Sequence, residues 1–124
     1  MYREYNLNPS RKIVGDCVVR AIGTVLSSNW EDTYVKLSAK GLSMHDMPNS
    51  NVVWHAFLKD KGYVRRPIPN SCPDCYTVRE FCIDYPYGAY VLGTGSHVIA
   101  VINGDYYDTW DSGDEVPVYF WERR

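Results

Sequence analysis

Three residues that together could carry out nucleophilic chemistry lie far apart in this chain: Cys17, His97 and Asp108. A cysteine thiolate can attack a carbonyl carbon, and an imidazole can take up and return the proton. A carboxylate can fix the tautomer and the orientation of that imidazole. The three side chains can act in this way only if the chain folds so that they meet.

The cysteine lies at a predicted helix start. In the stretch GDCVVRAIGTVL, residues 15–26, Gly15 and Asp16 are turn and cap residues, and apolar residues follow at spacings of three and four. Cys17 therefore falls in the first turn, where free backbone N–H groups and the helix dipole favour a thiolate. The alternative is a cysteine that only packs. Arg20 is expected to be a solvated helix charge, with flanking of the site or pairing with Asp16 as alternatives.

A hairpin is predicted where Asn103-Gly104 separates two strand-like runs, because this dipeptide favours a two-residue type I′ turn. The turn fixes the register, since pairing continues residue by residue away from it. The expected pairs are Ile102 with Asp105, Val101 with Tyr106, Ala100 with Tyr107, Ile99 with Asp108, Val98 with Thr109 and His97 with Trp110.

This register places His97 beside an acid. Side chains alternate along a strand, so His97 shares a face with Ile99, Asp108 and Trp110, while Asp111 lies on the opposite face. His97 and Asp108 become diagonal neighbours within reach of a hydrogen bond. The ring of Trp110 is expected to cover them. The alternative is a satisfied polar pair without chemistry.

The elements that must position these residues predict a single α+β domain, residues 1–124. N-terminal helices are expected to pack on one side of a C-terminal antiparallel sheet, with residues 1–14 extended or looping. The predicted helices are residues 16–27, 30–40, 52–61 and 77–83, and the predicted strands are residues 63–68, 89–94, 96–102, 105–110 and 117–122.

The composition argues against several function classes. The net charge is −2, the pI is about 5.9 and the basic residues do not cluster, so a nucleic-acid partner is not expected. No apolar run approaches the ~20 residues of a membrane span. The stretch MYREYNLNPSRK lacks the apolar core of a signal peptide, which predicts a cytoplasmic protein with reduced cysteines.

Cys72 and Cys75 form a CxxC pair and are weak candidates for zinc ligands. A structural zinc site needs four ligands, and only half a site is visible. Cys82 lies at helical spacing from Val78 and is expected in the core. No cofactor is therefore predicted, and a zinc-stabilised domain is kept as an alternative.

The chain resembles the papain-like cysteine peptidase superfamily in the order of its cysteine, histidine and aspartate. The stretches that carry the resemblance are GDCVVRAI, GSHVIAVI and YYDTWDSG. Asp108-Thr109-Trp110 stands where the papain pattern has Asn-Ser-Trp. GDCVVRAI is also similar to the nucleophile motif of OTU deubiquitinases, but Val14 and Ile99 depart from that family's pattern. The resemblance implies a minimal papain-like α+β fold in which the nucleophile opens the central helix.

The resemblance also implies a cysteine hydrolase that cleaves a peptide, isopeptide or amide bond of a peptide or protein substrate through Cys17, His97 and Asp108. A second hypothesis is a binding or inhibitory module that keeps this fold with little or no turnover. A phage or bacterial protein that acts on a host factor would be an example.

Four further residues are expected near the substrate. The oxyanion-hole glutamine of the papain pattern would fall at Arg11, so Asn8 is the side-chain amide expected to take its place. The backbone N–H of Cys17 would supply the second hydrogen bond. Asp16 and Trp110 are expected to adjoin the same site.

Overall fold

The computed structural model describes residues 1–69 and 75–124 and has an α+β fold, as predicted. The described part of the chain contains four helices and a six-stranded sheet. In chain order the elements are β1 (Tyr2–Glu4), α1 (Cys17–Val25), α2 (Trp30–Met44), α3 (Asn51–Asp60), β2 (Tyr63–Pro67), α4 (Val78–Asp84), β3 (Ala89–Gly93), β4 (Val98–Ile102), β5 (Asp105–Asp108) and β6 (Tyr119–Arg123).

The sheet has the strand order β1-β5-β4-β3-β6-β2. The predicted antiparallel pairing holds for β2 with β6, β6 with β3, β3 with β4 and β4 with β5. The prediction of a purely antiparallel, C-terminal sheet is wrong at one edge, where β1 pairs in parallel with β5. Three residues of the segment expected to be extended or looping thus complete the sheet beside the hairpin.

Helices cover both faces of the sheet, not one face as predicted. On one face, α1 and α3 bury Ile22 and Trp54 against Ala100 and its neighbours. On the other face, α4 buries Phe81 against Ile99 and its neighbours. Alternate residues of the same strands enter the two clusters, because successive side chains of a strand point to opposite faces.

The predicted helices are present, with shifted ends. Asn29 caps α2 through its side chain, which accepts a 2.7 Å hydrogen bond from the N–H of Asp32. α2 continues past Gly41, which was expected to end it. A Cβ at Gly41 would lie 2.6 Å from the carbonyl oxygen of Asp46, so this glycine permits close approach of the following loop. His45, with a φ of 55°, provides the left-handed residue that ends the helix.

None of the helices in residues 1–69 and 75–124 is both long enough and apolar enough to cross a membrane.

Candidate active site

Cys17 is the first residue of α1 and is partly buried. Asp16 occupies the N-cap position, but its side chain makes no capping hydrogen bond and points instead to other partners. The backbone N–H groups of Cys17, Val18 and Val19 donate no hydrogen bond to any of the described residues. These amides remain available to an anion next to the sulfur.

The hairpin forms with the predicted register. Asn103 and Gly104 have φ values of 50° and 78°, as a type I′ turn requires. The observed pairs are Ile102 with Asp105, Val101 with Tyr106 and Ala100 with Tyr107. The ladder ends there, so His97 lies just before β4 and Asp108 is the last residue of β5.

His97 and Asp108 meet, as predicted, with Nε2 of the ring 2.6 Å from Oδ2 of the carboxylate. Asp108 is almost fully buried, at 2% exposure. Its oxygens also accept hydrogen bonds from Oγ of Ser112 at 2.7 Å and from the N–H of Thr109 at 2.8 Å. Burial alone would raise the pKa of Asp108, but the hydrogen bonds from His97 and Ser112 hold it below its usual value.

The face predicted for this pair is wrong. Ile99 packs on the α4 side of the sheet, whereas the ring of His97 interacts with Cys17 on the α1 side. Strand alternation does not apply to His97, because it belongs to the turn that joins β3 to β4. The N–H of Thr94 donates to the carbonyl of His97 at 2.9 Å, and the N–H of His97 donates to Oγ1 of Thr94 at 3.0 Å. This turn sets the direction of the imidazole.

Cys17 and His97 stabilise each other's charged forms. Burial would raise the pKa of the Cys17 thiol, but hydrogen bonds from His97 and the backbone of Val98 lower it. Burial would lower the pKa of His97, but hydrogen bonds to Asp108 and Cys17 raise it to about 9. Because Nε2 faces Asp108, Nδ1 is the nitrogen left for the sulfur. This arrangement favours a thiolate–imidazolium pair.

Arg20 is not the solvated charge that was expected. Its side chain is 11% exposed, and its Nε donates to Oδ1 of Asp16 at 2.8 Å. Its Nη1 donates to Oδ1 of Asp108 at 3.1 Å. The contact with Asp16 is the pairing that sequence analysis gave as an alternative, at a helical spacing of four residues. The second contact spans 88 residues, and no local signal could have revealed it.

Asn8 and Arg11, which were expected near the oxyanion, have different surroundings. Asn8 is buried, and its Nδ2 donates to Oδ2 of Asp16 at 3.4 Å. The same oxygen of Asp16 accepts a 3.0 Å hydrogen bond from Nε1 of Trp30. Arg11 is exposed, with a φ of 55°, and its side chain makes no hydrogen bond or ion pair within the described residues.

Trp110 contacts the imidazole, as expected. Its ring centroid lies 5.1 Å from that of His97, with 33° between the ring planes. At 46% exposure, the indole covers one side of the imidazole and leaves its own outer face in solvent.

The sulfur lies at a pocket of about 500 Å³. Val18 and Val98 adjoin Cys17, and the remaining walls are small or polar and carry no charge. These walls come from three separate turns, and their residues are Gly15, Asn49, Ser50, Asn51, Gly95 and Ser96. Nδ2 of Asn51 donates to the carbonyl of Gly95 at 3.2 Å. This hydrogen bond joins the wall at residues 49–51 to the wall at residues 95–96. Sequence analysis missed these wall residues, because nothing in loop composition reveals which loops converge.

The described cysteines other than Cys17 do not line this pocket. Cys72 lies outside the described residues, and Cys75 is disulfide-bonded, which differs from the expectation of reduced cysteines. Cys82 lies within α4 and is buried as predicted, and burial raises its pKa to about 11. No group of three or more histidine, cysteine or acidic residues that could hold a metal ion occurs in residues 1–69 and 75–124.

Comparison of the chain with protein-family models, with curated proteins and with solved structures gave no match.

Proposed function

We propose that the protein is a cysteine hydrolase of papain-like type that cleaves a peptide, isopeptide or amide bond through a thioester. The observation that carries the proposal is the ring of His97, which interacts with the Cys17 thiol and hydrogen-bonds Asp108 at 2.6 Å, beside an open pocket. A buried polar pair of purely structural value would not need a third, nucleophilic partner at a solvent-accessible pocket.

In the first half-reaction, His97 takes the proton of Cys17, and the thiolate attacks the substrate carbonyl carbon. The oxygen of the tetrahedral intermediate carries the negative charge and accepts hydrogen bonds from the free N–H groups at the start of α1. The carbon–nitrogen bond then breaks, and the amine leaves with the proton from the imidazolium. Cys17 is left as a thioester.

In the second half-reaction, His97 takes a proton from water, and the hydroxide oxygen attacks the thioester carbonyl. The carbon–sulfur bond breaks, the acid is released and the thiolate–imidazolium pair is restored. Asp108 stays ionised throughout and holds the ring by its Nε2–H, so that Nδ1 faces the sulfur.

The pocket supports a polypeptide as substrate. Its walls present glycine backbone, serine hydroxyls and asparagine amides, which can hydrogen-bond a peptide backbone, and they carry no charge that would select an ionic group. The pocket is open on one side, so a long chain can enter and leave.

Thiol alkylation tests the proposal. At pH 6, iodoacetamide is expected to modify Cys17 of the folded protein at least about tenfold faster than Cys17 of the urea-unfolded chain, because only the folded state stabilises the thiolate. His97→Ala should remove the advantage. His45→Asn is the matched control, because His45 is exposed and asparagine tolerates its left-handed backbone. Equal rates in the folded and unfolded chains would refute the proposal.

A second candidate is a module that binds its target but turns over slowly. The observation that favours it is that the amide of Asn8 is bound to Asp16 and Arg11 is exposed, so neither of these two residues supplies the expected oxyanion donor. Losing one such donor costs on the order of 10²–10³ in rate. Mass spectrometry with activated peptide esters separates the two: a hydrolase releases the acid, whereas a slow module accumulates the acyl-Cys17 adduct.

A further inference from the structure

Arg20 lies between two buried carboxylates that belong to different parts of the candidate site. Asp16 directly precedes Cys17 in the chain, and Asp108 holds the ring of His97. The side chains of Asp16, Arg20 and Asp108 are 6%, 11% and 2% exposed. The guanidinium reaches the two acids with separate nitrogens, Nε at 2.8 Å and Nη1 at 3.1 Å.

We propose that Arg20 is a positioning residue that fixes the start of α1, and with it the sulfur of Cys17, against the end of β5, whose carboxylate orients His97. This inference rests on the proposed function for its purpose, but its geometry does not depend on turnover. Arg20 does not touch the reacting atoms.

Both carboxylates accept hydrogen bonds from donors other than Arg20. Asp108 already accepts hydrogen bonds from His97, Ser112 and the N–H of Thr109. Asp16 accepts hydrogen bonds from Trp30 and Asn8. What Arg20 adds is a connection between them, which its planar guanidinium makes with two separate nitrogens. No other hydrogen bond in the described part of the chain links the side chain of Asp16 to that of Asp108.

The charge of Arg20, like its position, favours the thiolate of Cys17. Buried carboxylates in the same site as a thiol oppose formation of a thiolate. The largest influences on the pKa of Cys17 are burial, His97 and the Val98 backbone. The positive charge of Arg20 is a smaller influence, and it lowers that pKa. The charged groups of the candidate site are therefore His97 from the β3–β4 turn, Asp108 from β5, and Asp16 and Arg20 from the chain around α1.

The test is an NMR titration of the Cys17 side chain, labelled with ¹³C at Cβ, in the folded protein. The main variant is Asp16→Asn with Arg20→Gln, which removes the Asp16–Arg20 pair together and leaves Asp108 paired with His97. Because these two charges act on the thiolate in opposite directions, the remaining effect is the lost placement of the sulfur against His97, and the thiolate fraction at pH 6 is expected to fall about tenfold, a shift of about one pKa unit. In Arg20→Lys, which keeps the charge but not the planar guanidinium, the thiolate fraction at pH 6 should fall about threefold.

The matched control is Arg66→Gln, which removes an arginine of the edge strand β2 that binds Glu122 of the neighbouring strand β6. It should titrate like the parent protein. The downfield Nε2–H signal of His97 should persist in every variant, because the His97–Asp108 hydrogen bond does not involve Arg20. A merely structural role would instead weaken that signal or lower the midpoint of urea unfolding without moving the thiol titration.

Unchanged Cys17 titration in folded Arg20→Lys and in the folded double variant would overturn the inference, and so would loss of the His97 signal together with the thiol shift. The titration needs no substrate. If the parent protein hydrolyses nothing but the titration moves as expected, the proposed function fails and the role of Arg20 stands. If hydrolysis occurs and the titration does not move, only the role of Arg20 fails.

Discussion

At the scale of single residues, Cys17 and His97 give protein stability opposite dependences on pH. The pKa of His97 is raised to about 9, so its contribution is complete below the unfolded value of about 6.5 and is lost as the pH rises from there to about 9. The pKa of Cys17 is lowered, so its contribution is complete above the unfolded value of 9.0 and is lost as the pH falls through the folded value. In the parent protein the two effects partly cancel between neutral pH and pH 9.

Removing the thiol should therefore expose the dependence due to His97. In Cys17→Ala the ring keeps its hydrogen bond to Asp108, so its pKa stays raised, although less than in the parent. The free energy of unfolding of this variant is expected to fall by roughly 1–2 kcal/mol between pH 6.5 and 9. Urea denaturation at several pH values measures the fall. Adding His97→Gln should abolish it, and a flat profile for Cys17→Ala alone would contradict the prediction.

Ser112 gives a second prediction at this scale. It is fully buried, and its Oγ donates to Asp108 at 2.7 Å. Ser112→Ala removes a donor to a buried carboxylate and should cost roughly 1–3 kcal/mol of unfolding free energy. Ser43→Ala is the control, since Ser43 is exposed and its Oγ donates only to the carbonyl of Lys40. Urea denaturation at pH 7 compares them, and equal effects would show that the bond to Asp108 contributes little.

At the scale of elements, what the sequence predicts depends on how local the determining interactions are. The register of β4 and β5 follows from the Asn103-Gly104 turn alone, and it was predicted correctly. The parallel strand β1 was missed because its three residues pair with a strand about 100 positions later in the chain, and no turn in the sequence indicates this pairing. The pair of His97 and Asp108 was found for a partly wrong reason, because the ladder ends before it reaches either residue.

The hairpin turn yields a prediction about Gly104. Its φ of 78° is unfavourable for any residue with a Cβ, and an added Cβ would lie 3.3 Å from the carbonyl oxygen of Cys82. Gly104→Ala is expected to cost roughly 1–2 kcal/mol. Gly15→Ala is the control, since Gly15 lies outside the positive-φ region and an added Cβ would meet no atom within 4 Å. Equal midpoints of urea unfolding for the two variants would argue against strain at the turn.

At the scale of the whole molecule, one sheet separates two apolar clusters, and each contains or adjoins a cysteine that can report on it. Cys17 packs against the cluster under α1 and α3, and Cys82 belongs to the cluster under α4. Strands β3, β4 and β6 contribute side chains to both clusters. Loss of one cluster would therefore remove support from the other, as expected if residues 1–124 form a single cooperative domain.

Alkylation of the two thiols across a urea gradient tests this cooperativity. At pH 6, Cys17 should react fast in the folded protein and slowly once unfolded, because its thiolate loses His97. Cys82 should change in the opposite direction, since the folded core, where it is 5% exposed, excludes the reagent. If the clusters unfold as one unit, the falling rate of Cys17 and the rising rate of Cys82 share one midpoint with tryptophan fluorescence, and both thiols reach similar rates in high urea. Separate midpoints would mean that α4 and its cluster detach while the candidate site stays assembled, which would contradict a single cooperative domain.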